Sequence, residues 1–286
     1  MVRVSNRQTA CFLVNIKARE NQTEEHYVEV FRKLSECDPM IKFPRGKYGS
    51  LKSINFSEIK DENDGPKWIQ INLLSYTLID PDAFYDKKNK EDVHIDNLGE
   101  DVVANKKETE IYFIPSVHTL AVKCNAKITL KNVLSYFSEA LNIVEPEMFD
   151  VDVIVEQDVL NKIINAYLVT KFYANISYSN PGHTGGFADT FDGKLREMGA
   201  GRVEFTAKGS KEHPLNKDED GMLQAIVNIS ERNGFVRATI QQTENSGLEA
   251  INSSEHPRKL KIRQIINDLP NTLYNEIRSV IKKVHF

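Results

Sequence analysis

The sequence predicts an α+β (mixed α/β) fold, a two-part chain in which mixed sheets are covered by amphipathic helices. Three observations carry this. Short runs rich in β-branched and aromatic residues, such as "TACFLVNIK" (9–17) and "KWIQINLLSY" (67–76), alternate with segments whose apolar residues recur at helical spacing. The length of 286 residues favours two domains, or one large one, at roughly 150 residues per domain. A content of 40% hydrophobic and 27% charged residues lets each half bury a core.

Residues 9–17 read as a buried strand. In "NQTEEHYVEVFRKL" (21–34), Thr23 is placed as an N-cap with Glu24 and Glu25 in the first turn, where the helix dipole favours acids. Tyr27, Val30, Phe31 and Leu34 then form one apolar helical face. Pro39 ends this helix, because proline disfavours helical geometry at the preceding Asp38. "SLKSINF" and "KWIQINLLSY" follow as strands about the turn "KDENDGP". Between residues 80 and 108, Asp80, Asp82, Asp86, Glu91, Asp92, Asp96, Glu100 and Asp101 leave little to bury. The stretch reads as a long, partly mobile acidic insertion. "TEIYFIPSVHTLAVKCN" (109–125) makes two strands about Pro115 and Ser116. A helix capped by Thr129 then turns Leu130, Val133, Leu134, Phe137 and Leu141 inward.

A domain boundary is expected near residue 146, giving an N-terminal α+β domain over 1–145 and a C-terminal α/β-like domain over 146–286. The second half predicts strand "MFDVDVIV", helix 157–168, strand "KFYANISYS", a Gly-rich loop, helix 188–199 and strand "GRVEFTAKG". Helix 218–230 and strand "FVRATIQQ" follow. "LKIRQI" reads as a strand or a helix start. A basic helix after Pro270 closes the chain, with Leu273, Tyr274, Ile277, Val280, Ile281 and Val284 inward. Strand order and direction stay open.

A net charge of -4 excludes a uniformly basic DNA-coating protein, although not a local basic patch. No apolar run approaches the ~18 residues of a membrane span, and the first twenty residues lack the apolar core of a secretory leader. Cys11, Cys37 and Cys124 are too scattered for a disulfide framework or a cysteine zinc site, which points to the cytoplasm.

Two constellations bear on chemistry. The loop "SNPGHTGGFADTFDGKLREM" (179–198) lacks the Lys-Ser/Thr ending of a P-loop. Its His183, Asp189 and Asp192 are candidates for a nuclease-type metal site, but a solvated first helical turn, where acids are favoured anyway, is the simpler account of the acids. No catalytic motif, resident metal or cofactor is predicted. The basic material offers more. "KFPRGKYGSLK" (42–52) combines Lys42, Arg45, Lys47, Tyr48 and Lys52 with two glycines and no acid, a mixture of charge and stacking surface suited to nucleic acid. From residue 258 onward seven basic residues stand against two acids, and Lys259, Lys261, Arg278 and Lys282 are the candidates there. The ordinary alternatives are a solvated turn and lysines satisfying a helix C-terminus.

The run "AKITLKNVLSYFSEALNIVEPEMFDVDVIVEQDVLNKIINAYL", continued by "FYANISYSNPG", resembles the family of the RexA exclusion protein of phage lambda in the order of its helices, acidic turn and strands. "ANISYSNPG … ERNGFVRATIQ … SSEHP", with "YGSLKSINF … KWIQINL", is similar to an uncharacterised bacterial family found near phage-defence genes. The resemblance spans about residues 110–260. It implies a self-associating cytoplasmic defence or exclusion protein that contacts DNA without strong sequence preference, and it carries no catalytic residue.

The leading expectation is a non-catalytic component of a bacterial phage-defence or exclusion system that binds nucleic acid, DNA first, through its phosphates, and forms homo-oligomers. One alternative is a metal-dependent nuclease-type effector. Another is an assembly subunit that contacts a partner protein of a defence operon through the acidic 80–108 segment.

Overall fold

In the computed structural model, the structure describes residues 8–20, 23–95, 99, 101–177, 190, 193–195, 197–219, 221–263 and 269–282. The chain runs β1 (Gln8–Ala18), α1 (Glu24–Cys37), β2 (Ile41–Phe43), β3 (Lys47–Phe56), β4 (Ile69–Leu78), β5 (Phe84–Asp86) and β6 (Glu91–Val93). It continues through β7 (Val103–Ile114), β8 (Thr119–Lys123), α2 (Leu130–Val144), β9 (Phe149–Val153), α3 (Gln157–Ile164) and β10 (Leu168–Ile176). The last elements are β11 (Val203–Lys208), α4 (Met222–Ser230), β12 (Gly234–Gln241), β13 (Leu248–Asn252), β14 (Lys259–Arg263) and α5 (Leu269–Lys282). The class is α+β and mostly sheet, and every pairing between named strands is antiparallel.

The first sheet has the order β14-β1-β8-β7-β4-β3-β2, with β9 also on β1. β14 and β9 lie end to end along one edge of β1, pairing with residues 8–12 and 14–18 respectively. At the joint, Leu13 donates to the Arg258 carbonyl at 3.1 Å and accepts from the Ile154 N–H at 3.0 Å, so no backbone group of β1 is left without a partner there. The sheets therefore do not divide at residue 146: β9, β14 and α5 all complete the first one.

Helices cover both faces of this sheet. α1 buries Tyr27, Val28, Val30, Phe31 and Leu34, and α2 buries Val133, Tyr136, Phe137, Ala140 and Leu141, against Val14, Ile16, Ile71, Phe113 and Leu120. Both start as the sequence predicts. The Thr23 hydroxyl accepts from the His26 N–H at 3.4 Å and that of Thr129 from the Asn132 N–H at 3.3 Å, each satisfying an orphan amide of the first turn. Asp38, held off helical geometry by Pro39, adopts φ 36 and its carboxylate accepts from the Leu51 N–H at 2.9 Å. On the opposite face α5 packs Leu273, Tyr274, Ile277 and Ile281 over Cys11, Leu13, Tyr112 and Ala121.

The second sheet has the order β11-β10-β12-β13. Its inner face, with Phe172, Ala174, Ile176, Val236, Ala238 and Ile240, is covered by α3 through Leu160 and Ile163 and by α4 through Leu223, Ile226 and Val227. The two sheets are tied by Arg202, whose guanidinium bonds Asp152 of β9 at 3.0 and 3.1 Å, Asp150 at 3.3 Å, and Asn175 of β10 at 2.8 Å.

Several elements differ from the sequence expectation. Residues 80–95 are not bare insertion: β5 and β6 close a hairpin, with the Asp86 carboxylate capping the turn through the Lys88 and Asn89 N–H groups at 2.7 and 3.0 Å. "LKIRQI" resolves in favour of a strand as far as Arg263, because its alternate residues Leu260 and Ile262 are buried against α5. The helix expected over 157–168 stops at Ile164, and α5 starts at Leu269, one residue before Pro270.

Candidate nucleic-acid interface

In "KFPRGKYGSLK", β2 and β3 form a hairpin whose turn holds Arg45 at φ 64 and Gly46 at φ 68. Gly49 has a different role: a Cβ there would lie 2.4 Å from the Phe43 ring, so the glycine is the seat of that buried side chain. Lys42 and Arg45 are exposed and Lys47 half-buried. Tyr48 stacks on its cross-strand neighbour Tyr76, centroids 6.5 Å apart. Lys52 is taken up by Glu108 at 2.9 Å.

The second basic group is split. Lys259 and Lys261 are exposed on β14, with the Lys259 ammonium 5.7 Å from the Phe12 ring centroid. Arg278 is turned inward: its guanidinium donates to the Tyr274 hydroxyl at 2.7 Å and to Glu62 of the β3–β4 loop, and its side chain is only 16% exposed. It fastens α5 to the first sheet. Lys282 ends α5. The strand order then decides the matter of a single grip. β2 and β14 are the terminal strands of the first sheet, six strand intervals apart, or about 29 Å along the sheet at ~4.8 Å per interval. The 42–52 hairpin and the lysines of β14 do not converge. His183, Asp189 and Asp192 lie outside the described residues. Among the described residues no group of three His, Cys, Asp or Glu side chains is placed to hold a metal.

The structure brings together a different set of cations. β10, β11, β12 and β13 alternate, burying one row of side chains under α3 and α4 and presenting the other on a face that no described helix covers. Register builds this face in rows. Thr206, Tyr173, Arg237 and Asn252 stand side by side across the four strands, and Lys208, Lys171, Thr239 and Ala250 form the next row. The phenol of Tyr173 and the ring of Phe235 are diagonal neighbours with centroids 6.0 Å apart at 46°. The Arg237 guanidinium lies over both, 5.6 Å from Tyr173 and 5.0 Å from Phe235. Tyr173, Arg237, Thr206 and Asn252, with Lys171, Lys208, Thr239 and Ala250, line a concavity of about 500 Å³.

The electrostatics of the face are one-sided at its centre. Glu204 sits at one end, accepting from Asn175 at 3.1 Å, and Glu255 at the far edge, accepting from Asn252 at 2.8 Å. Lys171, Lys208 and Arg237 form no ion pair with any described carboxylate. Sequence reading passed over these residues because each strand shows only an ordinary polar-out alternation. The available signal was "KFYAN" and "FVRAT", in which a cation and an aromatic share one face of each strand.

The fold and this face define an antiparallel α+β protein with an open, cationic and aromatic sheet surface. The chain belongs to the family described as Domain of unknown function (DUF4747), whose model matches residues 8–281. No curated protein matches it. Among the described residues no helix is long and apolar enough to cross a membrane.

Proposed function

We propose that this protein binds nucleic acid through its phosphates, without sequence preference, on the open face of the second sheet. It acts in the cytoplasm as a non-catalytic component of a bacterial phage-defence or exclusion system. The observation that carries the binding reading is the grouping of Lys171, Lys208 and Arg237 around Tyr173 and Phe235, with no described carboxylate paired to any of the three cations. Cations held apart from acids attract a polyanion at little desolvation cost, and planar side chains beside them offer surface to bases or sugars. The defence setting rests on the resemblance described above.

The test is a fluorescence-anisotropy titration of the full chain with labelled oligonucleotides at several salt concentrations. Affinity is expected to fall with salt by roughly 0.7 to 0.9 log units per log of salt for each phosphate contacted. The double variant Lys171→Glu/Lys208→Glu is expected to lose binding, and Arg45→Glu/Lys47→Glu to keep most of it. An affinity flat in salt, or loss confined to the hairpin variant, overturns this placement.

A further inference from the structure

Resting on that reading, we infer that the open face takes an unpaired strand, with bases seated on Tyr173 and Phe235 and phosphates on Lys171 and Lys208. The arrangement separates two jobs that duplex binding does not require together. A duplex hides its bases in the stack and offers a flat sheet only its phosphates, which lysines alone can meet. Here Tyr173 and Arg237 line the concavity in the row beside the lysines, two residues along the strands, or about 6.8 Å away, and Phe235 stands one row further from the lysines. Half-buried rings suit the exposed π-face of an unpaired base, which every base possesses, so stacking adds affinity without sequence preference.

Arg237 defines the free state of this platform. Its guanidinium lies over both rings at 5.0 and 5.6 Å, in the space a stacked base needs. A guanidinium is planar and weakly hydrated, so it can slide from ring to base and sandwich the base against Tyr173 or Phe235 while keeping its charge near the adjoining phosphate. Lys171 and Lys208 face each other directly across β10 and β11, a like-charged pair relieved by an anion between them.

The experiment compares a labelled twelve-nucleotide oligothymidylate with a blunt hairpin duplex of equal charge, in wild type, Tyr173→Leu/Phe235→Leu and Tyr173→Phe. The single strand is expected to bind the wild type at least tenfold more tightly than the duplex. The double leucine variant is expected to lose about tenfold or more for the single strand, with its salt slope retained because the lysines remain. Tyr173→Phe keeps the π surface and binds as wild type, and thermal melts establish that each variant is folded. Equal affinity for duplex and single strand overturns the inference while leaving the phosphate reading standing. So does unchanged binding in the leucine variant. Competition by polyglutamate as strong as by oligothymidylate also overturns it, marking a general polyanion surface. No binding to either nucleic acid overturns both the inference and the reading beneath it.

Discussion

Lys171 of β10 and Lys208 of β11 stand directly opposite one another on the uncovered face of the second sheet, both exposed and neither paired with a described acid. Like charges in cross-strand register oppose folding by a few tenths of a kcal/mol. Lys208→Glu turns the repulsion into attraction. The variant is expected to unfold at a higher urea midpoint with an unchanged m-value, the gain shrinking in high salt, while its nucleic-acid affinity falls. Stability rising as binding is lost marks the pair as functional.

Arg202 holds the sheets together through Asp152, which accepts two hydrogen bonds from it at 3.0 and 3.1 Å. Burial pushes the Asp152 carboxyl above its ordinary range, and the guanidinium beside it pulls back in the other direction. Arg202→Ala strands that carboxylate in the interior and is expected to cost about 3 kcal/mol in urea unfolding. Arg202→Lys restores only part of this, since an ammonium cannot reproduce the two parallel bonds.

Glu24, in the first turn of α1, meets Asp61 of the β3–β4 loop and accepts from the Asn63 amide at 2.8 Å. Burial, then the hydrogen bond with Asp61, raises the Glu24 carboxyl from 4.5 to about 7. A carboxyl whose pKa is raised on folding contributes stability that is complete below its unfolded value and is lost as pH rises through the folded one. The loss from Glu24 therefore spans pH 4.5 to about 7. Asp61 shifts downward and acts only at more acidic pH. Glu24→Gln is expected to be more stable than wild type above pH 7, the difference closing toward pH 4.5, as read by melting temperature across that range.

Arg278 binds Tyr274 and Glu62 rather than facing solvent. Arg278→Ala is expected to lower stability by about 1 kcal/mol, the ordinary worth of a hydrogen bond of this kind, and to leave nucleic-acid affinity unchanged. Loss of affinity from Arg278→Ala with none from Arg237→Ala would place the interface on the basic C-terminus instead.

What the sequence determined by itself was local. Tyr27, Val30, Phe31 and Leu34 share a face because helical spacing needs only eight consecutive residues. The Thr23 and Thr129 caps and the stop at Asp38 depend on nearest neighbours. The α+β class follows from summing such elements. Tertiary structure decided everything that depends on which strands are neighbours. Cys11 pairs with Leu260, and Lys171 with Lys208, across separations that no local pattern encodes. That pairing put the 42–52 hairpin and the lysines of β14 at opposite edges of one sheet, sent Arg278 inward to Glu62, and gathered Lys171, Lys208, Arg237, Tyr173 and Phe235 onto one face of the other. The physical reason is that strand neighbours are selected by burial of the inner faces against the helices. The outer face is assembled as a consequence, from residues whose own sequence neighbours point the other way.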